Sequence, residues 1–207
     1  MVRFIIVRHG LTEFNRLHKF QGQCDIALDE RGVAQAEITA EHIVANYQID
    51  AIYASDLSRA ADTARAVGHR LGLDVTVYPE FREVDVGKWA YQKVSDALKS
   101  DPDLAREQGE RPGTFRYPDG ETLLEVYERA SAKLKDIASE IDGKTALVVS
   151  HGGTIRALVT KWLGYDINDI NKVTFLPNTS ITVVEYEDSK FTLLLVGDNS
   201  HLPEDMR

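Results

Sequence analysis

Short β-branched runs alternating with longer amphipathic stretches predict an α/β protein, a three-layer α/β/α sandwich. Its sheet is mainly parallel, with antiparallel edge strands. Three observations carry this reading. The runs over 2–7, 51–54, 75–78 and 146–149 are short and apolar, with glycine, serine or proline at or soon after their ends. The segments between them repeat apolar residues at helical spacing. Two last runs, 181–186 and 191–196, lie close enough in sequence to pair as a closing hairpin.

Each element has its own signal. Residues 2–7 read as a buried strand that ends in Arg8-His9-Gly10. A helix then runs to about residue 46, with Asp29 as its N-cap. After the strand over 51–54, Ser55 is a candidate N-cap. Leu57, Ala60, Ala61, Ala64, Val67 and Leu71 form one helical face, closed by Gly72. Pro79 stops the third strand. Residues 101–120 hold three of the six prolines and no clear period, and read as an excursion over the surface. Thr122-Leu123-Leu124-Glu125 is a capping-box pattern opening a long amphipathic helix that ends at Asp142-Gly143. A strand over 146–149 and a helix over 154–163 come next, and Asp188-Ser189-Lys190 joins the hairpin.

The 207 residues are 43% hydrophobic and 28% charged, which fits one domain over 1–207, with an excursion at about 88–120. A net charge of −9 argues against a general nucleic-acid binder or a partner of anionic membranes, so any anion site is a local basic pocket. The single cysteine, Cys24, excludes an internal disulfide and reads as an ordinary small hydrophobe, with a reactive thiol as the alternative. The first apolar run is too short for a signal-peptide core or a membrane span, and a cytoplasmic location is the expectation.

Four features fall where such a fold places strand ends and helix starts, the usual ligand edge of an open α/β sheet. They are Arg8-His9, Arg59, Phe81-Arg82-Glu83 and Ser150-His151-Gly152-Gly153-Thr154. Taken singly, each has a plain structural reading: a hydrogen-bonded histidine, a solvated arginine, a loop carboxylate, a tight turn. Taken together, two histidines, two arginines and a glutamate suit phosphoryl chemistry. His9, His151 and Glu83 also form a zinc-like set, but two arginines beside them would repel a dication. Ser150 lacks the Gly-x-Ser-x-Gly elbow of a serine nucleophile.

Arg8-His9-Gly10-Leu11-Thr12-Glu13-Phe14-Asn15 resembles the signature of the histidine phosphatase superfamily, the phosphoglycerate mutase-like family. The resemblance continues through Gln21-Gly22, Ser55-Asp56-Leu57-Ser58-Arg59-Ala60, Glu83 with Gly87 and Trp89, and Ser150 to Arg156. It implies that His9 is the nucleophile and becomes a phosphohistidine. Arg8, Arg59 and His151 would hold the transferring phosphoryl group, helped by Asn15, Gln21, Gly22 and the Gly152 amide. Glu83 would protonate the leaving oxygen and then activate water. No metal and no cofactor is implied. Physical chemistry agrees, because phosphoryl transfer depends chiefly on positioning and charge neutralisation, and arginine offers paired planar donors.

Val84-Asp85-Val86-Gly87-Lys88-Trp89-Ala90 after Glu83 is closer to the short phosphatase branch than to the mutases. The resemblance therefore implies a metal-independent phosphoric monoester hydrolase acting on small phosphorylated metabolites. The alternative is a 2,3-bisphosphoglycerate-dependent type of phosphoglycerate mutase. Ala90-Tyr91 and Asp119-Gly120-Glu121-Thr122 depart from the common phosphatase pattern, in regions expected to shape the substrate pocket. Arg106, Arg111 and Arg116 are candidates for a second anionic group or for plain solvated loop arginines, with Tyr91 and Lys93 nearby. Phe14 and Phe20 are candidates for the entrance or the core. The hairpin edge or the long helix offers a surface for a homodimer.

Overall fold

Seven residues that are almost all buried form β1 (Val2–Arg8) at the heart of the sheet. The structure, a computed structural model, describes residues 1–207. A four-residue helix, α1 (Glu13–Arg16), comes after it, with Thr12 and Asn15 capping each other reciprocally. Next comes α2 (Glu30–Asn46), whose first turn is capped by Asp29 through the Gly32 amide. β2 (Ala51–Ala54), α3 (Ser58–Leu71) and the short β3 (Val75–Val77) complete the first half. Gly72 ends α3 in the left-handed conformation. The N-cap of α3 is Leu57 and not Ser55. The Ser55 hydroxyl instead accepts from the Leu57 amide at 3.3 Å, a local turn that delays the helix by two residues.

Two helices occupy the excursion, α4 (Val94–Ser100) and α5 (Pro102–Glu110), which corrects its reading as an aperiodic loop. Proline takes the first position of α5 and Asp101 caps it through the Leu104 amide. The helix buries none of its residues, so it has no apolar stripe from which a period could be read. α6 (Leu123–Glu140) begins at the expected capping box of Thr122 and Glu125. β4 (Thr145–Ser150) and α7 (Gly152–Trp162) succeed it, with α7 starting directly after His151. β5 (Ile181–Glu187) and β6 (Lys190–Asp198) form the hairpin. Its turn residues, Asp188 and Ser189, both have positive φ, as a two-residue mirror-image turn requires.

The sheet order is β3-β2-β4-β1-β5-β6. β1, β2, β3 and β4 run parallel, while β5 pairs antiparallel with β1 and β6 with β5. This is the predicted class. β1 and β4 are near-continuous apolar runs because both of their faces are covered. Phe4, Ile6 and Val148 point into a cluster with Leu134 and Leu158, from α6 and α7. Ile5, Val7 and Val149 point the other way, onto Ala40, Ile43 and Ala64 of α2 and α3. A third cluster joins Trp89, Phe115 and Tyr117 to Val126 of α6 and Ala157 of α7, and so seats the excursion on the main body. Leu134 is fully buried. Leu134→Ala is expected to cost about 2–5 kcal/mol in urea unfolding, from lost transfer energy and the cavity left behind.

Register fixes where the site falls. Arg8 is opposite Ser150 and Ala54 is opposite Val149, so β1, β2 and β4 end along one line. His9, Ser55 and His151 each step off that edge together.

Candidate active site

His9 and His151 leave adjacent parallel strands and their ring centroids lie 5.1 Å apart. The His9 amide donates to the Ser150 carbonyl at 3.0 Å, which extends the ladder by one residue and fixes the backbone. His9 Nδ1 lies 2.7 Å from the Gly10 carbonyl. A carbonyl only accepts, so Nδ1 carries the proton and the lone pair of the neutral ring sits on Nε2. Gly10 is required here, because a Cβ would fall 2.5 Å from the Gly32 carbonyl oxygen. The Asn178 side chain closes the turn by donating to the carbonyls of His9 (2.9 Å) and Gly10 (3.2 Å).

Arg59 is completely buried, the reverse of a solvated surface residue. The guanidinium donates to the carbonyls of Cys24 at 2.7 Å and Gly22 at 2.8 Å, while its Nε has no partner. Gly22 therefore lines the cavity and also aims Arg59. Arg8 donates to the Leu176 carbonyl at 2.5 Å and lies 4.7 Å from the Phe175 ring centroid. Its Nε, and both ring nitrogens of His151, are buried without a partner in the protein. Buried polar groups are nearly always satisfied, so this concentration around one point marks a place shaped for an oxyanion. Asn15 and Gln21 line the same cavity, and the Thr12 hydroxyl lies 2.9 Å from Gln21 Oε1. Gly152, the first residue of α7, lies under the Arg8 guanidinium, where a Cβ would be 3.1 Å from Arg8 Nε.

Glu83 faces the N-terminus of α7. Its carboxylate accepts from the amides of Gly153 (2.9 Å), Thr154 (3.1 Å) and Val84 (2.9 Å). Gly153 leaves the room for this, since a Cβ would stand 2.5 Å from Glu83 Oε1. Arg129 and Gln23 hold the Glu83 carbonyl at 3.0 and 3.2 Å, so the residue is fixed through its backbone as well. Ser150 is a structural residue, with its hydroxyl donating to the Phe81 carbonyl at 2.8 Å.

Burial and then the nearby guanidiniums push the titration of both histidines well below the ordinary range. Burial also lowers Arg8 and Arg59, each to about 10. A third histidine, His201, is lowered to about 4 by burial and by His42. Below about pH 6.5 the unfolded chain takes up protons that these native histidines refuse. Their stabilising contribution is thus complete above that pH and is lost as the pH falls towards the native values. A thermal melt series from pH 7.5 to 5 is expected to show a falling Tm, and a rising one would contradict the sign.

Not every expected residue reaches the cavity. Arg106, Arg111 and Arg116 are exposed and paired with Asp103, Glu107 and Glu125. Tyr91 is exposed against Phe14, Lys93 lies in a bridge to Lys19, and Asp119-Gly120 forms a turn packed on Gly87. Phe20 does line the cavity and packs on Trp89 and Tyr117. Lys19, Gln108, Arg156, Asn171 and Phe175 complete the wall of a cavity of about 310 Å³. Sequence reading assigned none of these five a role. Arg156 alone carried a signal, falling four residues after Gly152 on the same helix face.

Parallel strand ends carrying two buried imidazoles, with guanidiniums around them, define an α/β protein with a local basic pocket at the edge of its sheet. The family model of the histidine phosphatase superfamily (branch 1) matches residues 4–199, and the chain belongs to that superfamily. It is 30% identical over 204 residues to phosphoserine phosphatase 1 of Hydrogenobacter thermophilus, covering 99% of this chain and 96% of that one. It is 32% identical over 207 residues to a probable phosphoglycerate mutase, GpmB, of an Enterobacter species, covering 98% and 95%. The solved structure of a mycobacterial glucosyl-3-phosphoglycerate phosphatase with VO3 superposes with a TM-score of 0.86 at 29% identity, covering 94% and 98%. No helix is long and apolar enough to cross a membrane.

Proposed function

We propose that this protein is a metal-independent phosphatase of small phosphorylated metabolites, working through a phosphohistidine at His9. The observation that carries the reading is the 2.7 Å contact of His9 Nδ1 with the Gly10 carbonyl, which leaves Nε2 as the nucleophilic nitrogen. Nε2 attacks phosphorus and the ester P–O bond breaks. Glu83 serves as the general acid, giving a proton to the departing alcohol oxygen. Arg8, Arg59 and His151 hold the equatorial oxygens, with charge and donors set in place before the reaction. The Glu83 carboxylate then takes a proton from water, whose oxygen attacks phosphorus. The P–Nε2 bond breaks, its electron pair returns to Nε2, phosphate leaves, and His9 is neutral again with the water proton on Glu83. The guanidiniums do the neutralising that a metal would do, and they would repel a dication at the same point. Relatives named as phosphatases of phosphoserine and of glucosyl-3-phosphoglycerate support the hydrolytic direction.

The test is phosphate release from a panel of phosphomonoesters in the presence of EDTA, with 3-phosphoglycerate in the panel. Turnover that survives chelation and yields glycerate is the expected result. Isomerisation to 2-phosphoglycerate in place of hydrolysis would assign a mutase, and activity restored only by zinc would overturn the metal-free mechanism.

A further inference from the structure

Glycine at position 10 solves one problem and raises another. It lets the turn pass close to Gly32, where a Cβ would lie 2.5 Å from the carbonyl oxygen. Glycine also has the freest backbone of any residue. Yet the Gly10 carbonyl must hold one direction, because its 2.7 Å contact with His9 Nδ1 decides which ring nitrogen is bare. Asn178 reaches the same oxygen only at 3.2 Å, with an amide it shares with the His9 carbonyl.

The carbonyl of Gly10 and the N–H of Leu11 belong to one planar trans peptide and point in opposite directions. Whatever holds the N–H therefore aims the carbonyl. Its acceptor is Gln35 Oε1, at 2.9 Å. Gln35 lies in the second turn of α2 and is buried, on a face shared with Gly32, Ala36, Thr39, Ala40 and Ile43. Its Nε2 donates to the Met206 carbonyl at 2.8 Å. These two partners leave one orientation for the amide, since the Leu11 N–H only donates and the Met206 carbonyl only accepts. Leu11 is tied a second time, its carbonyl accepting from the Asp29 amide at 3.1 Å. The N–H of Gly10 itself donates to Thr63 Oγ1 at 3.1 Å, so both peptides at Gly10 are held from outside the turn. Gln35 is no part of the catalytic wall, and lines a neighbouring hollow with Leu11 and Asn178. It acts through the turn and not on the substrate.

We propose that Gln35 is a positioning residue for the nucleophile: by gripping the Leu11 amide it keeps the Gly10 carbonyl on His9 Nδ1 and the lone pair on Nε2. The Met206 carbonyl keeps the Gln35 amide turned the right way. Released from the Gly10 carbonyl, the neutral ring also takes the form protonated on Nε2, which has no lone pair there to attack phosphorus. For its effect on turnover the inference rests on the phosphatase reading.

The test is Gln35→Met, which keeps the side-chain length and removes the amide oxygen. Nitrogen-15 spectra of ring-labelled histidine read the tautomer directly, and the His9 signals are those missing from His9→Ala. The native protein is expected to carry the His9 proton on Nδ1, and Gln35→Met to add the form protonated on Nε2. The fall in kcat/KM should be about five- to tenfold, the effect of one hydrogen bond, and equal for p-nitrophenyl phosphate and alkyl esters. Affinity for inorganic phosphate, held by Arg8, Arg59 and His151, should stay within about twofold. Gln35→Glu should restore both tautomer and turnover, because a carboxyl in either protonation state keeps an oxygen towards Leu11. Gln35→Leu takes the place of Gln35→Met if that variant loosens the fold. A native tautomer in the apolar variant, phosphate affinity falling in step with turnover, or no rescue by Gln35→Glu would overturn the positioning role. A tautomer shift in the variant, with no ester hydrolysed by the native protein, would instead overturn the phosphatase reading and leave Gln35 in its role.

Discussion

His9→Ala is expected to lower kcat by at least about 10³-fold, since no other group in the cavity can take its place as acceptor. His151 is the nearest alternative imidazole. Its ring is tilted 59° to that of His9, and neither of its nitrogens is oriented by a hydrogen bond. The variant keeps Arg8, Arg59 and Glu83, so phosphate and vanadate are expected to bind still while turnover is lost. Native protein quenched during turnover of a radiolabelled ester should carry an acid-labile, base-stable phosphoryl group, as a phosphoramidate does. His9→Ala should carry none. A fully active His9→Ala, or a label stable to acid, would remove His9 from the mechanism.

Glu83→Gln carries the second largest expected effect, about 10²–10⁴-fold for esters of ordinary alcohols. An alkoxide leaves poorly without a proton, whereas a nitrophenolate leaves well on its own. The loss should therefore be much smaller with p-nitrophenyl phosphate in the phosphorylation step, and a burst of nitrophenol should precede slow hydrolysis of the phosphoenzyme. One structural cost must be separated from this. Both carboxylate oxygens accept amide protons at the start of α7, and glutamine would turn a donor towards one of them. That mismatch is worth about 1–3 kcal/mol and shows in a thermal melt, independently of the leaving group. Equal losses for good and poor leaving groups would deny Glu83 the role of acid.

The strand ends were legible because their signals are local. β-branched runs stop at punctuating residues, and the side chains just past each stop lie at the sheet edge. That put Arg8, His9 and His151 on one line before any contact was known. The caps at Asp29 and Thr122 were legible for the same reason, being patterns three or four residues long. Arg59 was harder. Its position after β2 was visible, but its complete burial depends on the carbonyls of Gly22 and Cys24, more than thirty residues earlier. α5 stayed hidden because it buries no residue and so leaves no period in the sequence.

The far wall of the cavity was out of reach of such reasoning. The excursion offered three arginines, and charge alone made Arg106, Arg111 and Arg116 candidates for a second anion. Their carboxylate neighbours in the folded chain take them out of the site. Lys19, Gln108, Arg156 and Asn171 share a wall only because the sheet order and the seating of α4 and α5 bring four distant segments together. The sequence by itself determined the α/β class, the family signature and the line of strand ends that holds the two histidines, since hydrophobic period, caps and turn residues act over a few positions. Only the tertiary structure decided which cations remain unpaired around them. A side chain's partners are set by contacts between residues far apart in the chain, and no local pattern records those.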